Sequence, residues 1–272
     1  MDKMKQNYYG SLCTELYELL HKEAPRDELD FYLSYAEKDK KILEVMCGSG
    51  RFLVPFMDRG FDICGIDLSA HMLERLKKKA PSAKAVQADI LEYDSPDRFD
   101  YIFISSGSIS LFTDTKLCRR ILKKLKEMLT PEGKLVFAIE TMADRCADDN
   151  GYKITASAET KEGLTLVLKS RNHYDEQSQT QFSPGIYELY DGARLLQREH
   201  MDFQTHLYRP GEMEQFLVEA GFKEINIYSS FQKAPAADDP EKSFLFVCRV
   251  LSYNNLGGTP NETGLWRFWC GL

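Results

Sequence analysis

Between residues 41 and 140 the chain alternates short apolar runs with amphipathic stretches, a pattern buried most simply by a parallel sheet with helices on both faces. Strands are expected over Ile42 to Met46, Asp62 to Ile66, Ala83 to Gln87, Asp100 to Ser105 and Lys134 to Ile139. Ser69 stands where it can cap a helix whose Met72, Leu73 and Leu76 share one face. A later helix, Thr115 to Leu129, turns Leu117, Ile121, Leu125 and Met128 inward. It leaves Arg119, Arg120, Lys123, Lys124 and Lys126 as a solvated face, and Pro131-Glu-Gly133 is expected to close it.

The flanks read differently. Residues 1–40 form a helical segment carrying Tyr8, Tyr9 and Tyr17, placed either to cover a site as a lid or to pack on the sheet. Residues 143–209 turn to a period of two, in Leu164 to Leu168, Gly185 to Tyr190 and Leu195 to Phe203, with Asp191-Gly192 as a turn, and so predict an antiparallel insertion. Met213, Phe216, Leu217 and Ala220 then share a helical face that Gly221 stops, before last strands at Ile225 to Tyr228 and Phe244 to Val250. Residues 254–272, with Gly257-Gly258 and Trp266, match no element. The expected class is α/β: a Rossmann-like, seven-stranded, mostly parallel sheet with helices on both faces and an antiparallel β insertion, in a single domain over 1–272.

The first strand breaks into a glycine turn, Ile42-Leu-Glu-Val-Met-Cys-Gly-Ser-Gly-Arg-Phe52, in which Gly48 and Gly50 permit a tight turn and close backbone approach to a ligand. A dinucleotide-binding turn needs G-x-G-x-x-G to seat a pyrophosphate on the helix N-terminus. Leu53 stands at the third glycine, which disfavours a nicotinamide-dependent oxidoreductase. Open parallel sheets bind ligands outside the carboxyl ends of their strands, where Glu44 to Gly50, Asp67, Asp89 and Ser105 should converge. Asp67 suits both hydroxyls of a ribose, or else caps the helix that starts near Ser69. Asp89 suits an adenine amino group, with Leu68 and Ile90 as apolar walls, or else serves a turn before Leu91. Met72 reaches the same ring or packs in the core.

Glu44 followed by Cys-Gly-Ser-Gly, with Asp67 and Asp89 at later strand ends, resembles class I S-adenosylmethionine-dependent methyltransferases, closely over residues 40 to 140 and more weakly through Arg209 to Phe222. The chain departs from the family's acidic-x-Gly-x-Gly-x-Gly run at Met46, which occupies the first glycine position. The resemblance implies S-adenosyl-L-methionine as cofactor and S-adenosyl-L-homocysteine as product. It implies cofactor contacts from Glu44, Met46, Gly48, Gly50, Asp67, Leu68, Met72, Asp89, Ile90 and Ser105, with Tyr9 and Tyr17 in the lid. Methyl transfer from a sulfonium is an in-line displacement with an already activated leaving group, so alignment and exclusion of water can supply most of the rate, on the order of 7–11 kcal/mol. A base is needed only where the acceptor arrives protonated.

The fourth strand ends in Ser105-Ser-Gly-Ser108, unlike the Asn/Asp-Pro-Pro-aromatic string that resembles amino-directed DNA methylases. A net charge of −7 also weighs against a nucleic-acid partner. A small-molecule acceptor is therefore expected, with Glu140, His173, Tyr174, His206 and Arg209 as substrate-side candidates; Arg209 would hold an acidic group of the acceptor or tie the insertion to the core. Seven cysteines without a C-x-x-C pair predict reduced thiols, no metal site and a cytoplasmic protein. No apolar run approaches a membrane span, so no membrane partner is expected. The β insertion also offers a face for a homodimer. The competing reading is a non-catalytic cofactor-binding module that uses the insertion for partner contacts.

Overall fold

The computed structural model describes residues 6–236 and 244–250; the tail at 254–272 lies outside the described residues. Helices α1 (Ser11–Leu20) and α2 (Arg26–Leu33) precede the first strand. The alternating region then runs β1 (Lys41–Val45), α3 (Leu53–Asp58), β2 (Asp62–Asp67), α4 (Ala70–Lys79), β3 (Ala85–Gln87), β4 (Phe99–Ile104), α5 (Thr115–Met128) and β5 (Leu129–Ala138). The continuous apolar runs are explained by two-sided burial. Leu43, Val45, Ile102, Ile104, Leu135 and Phe137 join one core cluster, while Ile42, Tyr101, Phe103 and Val136 join the other on the opposite face.

Caps and turns fix the helices. The Ser69 hydroxyl accepts from the Met72 amide at 3.2 Å, as expected. Asp114 Oδ1 caps α5 through the amides of Lys116 (2.8 Å) and Leu117 (3.4 Å). That helix stops at Met128, earlier than Pro131-Glu-Gly133 suggested. Phe99 pairs with Leu129 but Tyr101 pairs with Lys134, so residues 130–133 loop out of an already started β5. Nor is the basic run wholly solvated, since Arg119 bonds Glu219 at 2.8 Å and lies 3.8 Å over the Phe216 ring.

The insertion contains more strands than the sequence pattern suggested: β6 (Lys153–Glu159), β7 (Thr165–Ser170), β8 (His173–Asp175), β9 (Thr180–Phe182), β10 (Gly185–Asp191), β11 (Arg194–Met201) and β12 (Gln204–His206). They form a four-stranded sheet in the order β11-β10-β7-β6 and a three-stranded sheet in the order β12-β9-β8. Three-residue strands carry too little alternation to be read from a sequence. The expected single strand from Leu195 to Phe203 breaks at Asp202, whose carbonyl accepts from the Asn7 amide at 3.0 Å.

After α6 (Glu212–Ala220), stopped by Gly221 as expected, β13 (Glu224–Tyr228) and β14 (Leu245–Arg249) complete a seven-stranded sheet in the order β13-β14-β5-β4-β1-β2-β3, with β14 antiparallel to β5 and β13. The expected fold class is therefore observed, insertion included.

Helix α1 connects the two parts of the molecule. Leu12, Cys13 and Leu16 pack on Leu166, Tyr187 and Met201 of the four-stranded sheet. Its N-cap position is Gly10, which has no side chain to offer, so the cap comes from across the fold. Glu199 Oε2 accepts from Ser11 Oγ and the Leu12 amide, both at 3.0 Å, and Oε1 accepts from the Cys13 amide at 3.2 Å. A carboxylate at a helix N-terminus also complements the helix dipole.

Candidate active site

A cavity of about 540 Å³ opens at the carboxyl ends of β1, β2 and β4, covered by the N-terminal segment through Gln6 to Tyr9, Tyr17 and His21. Its floor is the turn after β1. Met46 adopts φ +60°, the left-handed backbone that glycine takes freely, at the position where the family pattern has a glycine. Gly48 has φ +52°, and a Cβ there would meet only Met72 Sδ at 3.9 Å, leaving its backbone open to the cavity. Gly50 behaves differently. A Cβ on it would collide with Leu76 Cδ1, and it does not line the cavity; it allows the turn to pack on α4 rather than giving backbone access. Leu53 is fully buried, and the close helix–strand approach is made by Gly65 on β2, where a Cβ would stand 2.6 Å from Leu53 Cδ1. The space a third glycine would leave is filled.

The acidic residues at the strand ends converge on this cavity. Glu44, 1% exposed, accepts from Ser105 Oγ through Oε1 at 3.1 Å, while its buried Oε2 has no partner. Desolvation pushes its carboxyl well above the usual range. Asp67 Oδ2 accepts from the Gly48 amide (2.8 Å) and Oδ1 from the Ser69 amide (2.7 Å), so it braces the glycine turn while facing the cavity. Asp89 Oδ1 accepts from the Leu91 amide at 2.9 Å, the turn role weighed above, and the residue also lines the cavity. Leu68, Met72, Ile90, Ser105, Tyr9 and Tyr17 line it too. Ser69 Oγ donates to the Tyr9 carbonyl at 2.6 Å, and the Tyr9 and Tyr17 rings meet edge to face at 6.0 Å.

One further residue lines the cavity, Arg51, and another, Glu28, supports it from outside the lining; both escaped the sequence reading. Arg51, just past the glycine turn, donates through Nη2 to Ser106 Oγ at 2.6 Å and keeps a buried, unpartnered Nε. Glu28 on α2, 6% exposed, accepts the Ser106 amide at 2.7 Å and holds the end of β4. Arg51 follows the motif directly and was legible as a cation beside it; Glu28 had no such signal.

The substrate-side candidates separate. Glu140 lines the cavity. The other four stand elsewhere. His173 is exposed and pairs with Asp148 at 3.0 Å, and the Tyr174 hydroxyl donates to Met142 Sδ at 3.2 Å. His206 is buried, its Nε2 3.0 Å from Glu212 Oε1, which fastens β12 to α6. Arg209 donates to Glu176 Oε1 at 2.5 Å, the salt-bridge alternative. Thr205 of β12 lines the cavity, whereas its neighbour His206 is engaged by Glu212 and is not among the lining residues. Among the described residues no group of three or more His, Cys, Asp or Glu side chains is disposed to hold a metal, and no helix is long and apolar enough to cross a membrane.

The family model described as "Methyltransferase domain" matches residues 42–133, the stretch that builds the glycine turn, Asp67 and Asp89. That match, with the relatives and solved structures below, supports the class I S-adenosylmethionine-dependent methyltransferase family for this chain. A Geobacillus sp. (strain WCH70) relative whose name places it among the methyltransferases is 25% identical over 247 residues, 86% of this chain and 96% of its own. The glycine/sarcosine N-methyltransferase of Halorhodospira halochloris is 26% identical over 79% of this chain and 78% of its own. Among solved structures, the sugar N-methyltransferase KedS8 from Streptoalloteichus sp ATCC 53650 matches the fold with a TM-score of 0.69 at 20% identity, covering 93% of this chain and 99% of its own. S-adenosylmethionine is the cofactor of this methyltransferase, and the non-catalytic reading finds no support among these relatives. The site fits that group on its own chemistry. Glu44 and Arg51 both line the cavity, and each keeps a buried polar atom without a partner, a carboxylate oxygen and a guanidinium N–H, the types of group that suit the ammonium and carboxylate of an amino-acid end.

Proposed function

We propose that this methyltransferase methylates a small-molecule amine. The bound cofactor supplies a methyl group already activated on sulfur. In this reading Glu44 accepts from the cofactor ammonium, Arg51 donates to its carboxylate, and Gly48 gives backbone access beside them. Asp67 receives the ribose hydroxyls with its remaining lone pairs, and Asp89 receives the adenine amino group through Oδ2. Leu68, Met72 and Ile90 enclose the ring, Met46 and Ser105 shape the floor, and Tyr9 and Tyr17 act as a lid that excludes water.

The observation that carries the proposal is that two residues lining one cavity, Glu44 and Arg51, each keep a buried polar atom without a partner, Oε2 and Nε. An amine acceptor is supported by the remaining charges. Away from the cofactor half the cavity presents Asp114 and Glu140, and Arg51 is its one Lys or Arg among the described lining residues. Relatives named as glycine/sarcosine and amino-sugar N-methyltransferases favour the same class. The free described cysteines support a cytoplasmic setting, and exposed Ile154, Leu195 and Leu196 on the insertion support a homodimer through it.

Calorimetric titration with S-adenosylhomocysteine tests the cofactor seat. Arg51→Gln should weaken binding about tenfold or more, the loss of a charged hydrogen bond. Unchanged affinity in a folded variant would sink the assignment.

A further inference from the structure

We infer that Glu140 is the proton acceptor for the amine; the inference rests on the amine reading above. Glu140 stands just beyond the carboxyl end of β5 and lines the cavity. Its backbone is fixed from both sides, since its amide donates to Ser110 Oγ at 2.8 Å and its carbonyl accepts from the Tyr208 amide at 3.0 Å. Its carboxylate lies over Gly107, with Oε1 2.7 Å from where a Cβ on that residue would be. A side chain at Gly107, whose φ of +65° itself favours glycine, would displace the carboxylate from this position.

Asp144 is built into place independently. It closes a capping box, its Oδ2 accepting from the Thr141 amide at 2.7 Å and from Thr141 Oγ1 at 3.2 Å, while the Thr141 hydroxyl accepts the Ala143 amide at 3.2 Å. The acidic groups facing Glu140 are Asp144 from this turn and Glu28 from α2. Burial first, then Asp144, then Glu28 raise the Glu140 carboxyl to about 7, where a base and its conjugate acid are both present at neutral pH.

The step balances simply. An ammonium acceptor gives its proton to the Glu140 carboxylate, and the freed nitrogen lone pair forms the N–C bond. The C–S bond breaks with its electron pair going to sulfur, leaving the neutral thioether. Glu140 then returns the proton to solvent. The nitrogen ends with one proton replaced by methyl and its charge restored by the methyl cation it received. Asp144 is a positioning residue that sets the pH range of Glu140, and Glu140 is the group that touches the acceptor.

The test uses the full chain saturated with S-adenosylhomocysteine and carrying carboxyl-labelled glutamate. One glutamate resonance should titrate between about pH 6 and pH 8, vanish in Glu140→Gln, move to lower pH in Asp144→Asn, and shift when methylammonium chloride is added. In turnover with labelled methyl donor and glycine, sarcosine or ethanolamine, Glu140→Gln should lower kcat by about 10²–10⁴-fold, with cofactor affinity retained and partial rescue in Glu140→Asp. Absence of that resonance, its indifference to methylammonium, or wild-type turnover by Glu140→Gln would each overturn the inference. Transfer to glycolate but to no amine would overturn it as well. Failure of the unaltered chain to bind S-adenosylhomocysteine would instead refute the cofactor seat beneath it.

Discussion

Replacing Glu44 by glutamine should make the cofactor-free protein more stable and the cofactor-bound complex weaker, two effects of opposite sign from one atom. Glu44 is 1% exposed, and only Oε1 has a partner, the Ser105 hydroxyl at 3.1 Å. Burial raises its folded pKa far above the unfolded value, so the folded state holds a proton that the unfolded state releases. Stability from this group is therefore present below the unfolded pKa of about 4.3 and is lost as pH rises from there through the folded pKa. Glutamine removes that loss. Leaving a buried polar group unsatisfied costs roughly 1–3 kcal/mol, and an amide with an unfilled donor still bears part of this, so a gain of about 1–2 kcal/mol is expected at neutral pH. That corresponds to a rise of about 2–8 °C in Tm. Against this, the ammonium of the cofactor loses a charge-assisted partner worth roughly 1.5–3 kcal/mol, or about 10–100-fold in Kd. Thermal melts from acid to neutral pH, with and without S-adenosylhomocysteine, read both effects. A Glu44→Gln protein with lower Tm and unchanged affinity would refute the reasoning at both steps.

Gly50→Ala should lose roughly 2–4 kcal/mol in denaturant unfolding, because φ is +81° and the added methyl meets Leu76 on α4; a loss under about 0.5 kcal/mol would show that the turn repacks freely. Glu199→Ala removes the cap supplied to α1 and should cost about 1–2 kcal/mol, seen as faster amide exchange over Ser11–Leu20 with the parallel sheet still protected; unaltered exchange there would mean the packing of Leu12, Cys13 and Leu16 suffices to hold the helix.

The parallel sheet was legible because its signal is local. Each of its longer strands is an apolar run, and each helix carries its own stripe, caps and stop, as Ser69 and Gly221 illustrate. Asp67 and Asp89 were legible because topology alone carries the carboxyl ends of parallel strands to one place. Assigning the glycines was harder: Gly48 and Gly50 look equivalent in a string, yet one faces the cavity and the other faces Leu76. Met46 looked like a departure until its backbone proved to be left-handed.

The primary structure determined by itself the alternation that forces a covered parallel sheet and the order of the residues at its carboxyl ends. Tertiary structure decided which candidate side chains meet. His173, Tyr174, His206 and Arg209 share the insertion with Phe203 and Thr205, which line the cavity, but are engaged by other partners, whereas Glu140, just past β5, lines it. The reason is physical: periodicity reports which face of an element is apolar, while the side chains that converge on a cavity depend on pairings between segments far apart in the chain, such as Glu199 with α1 and Asn7 with Gln204.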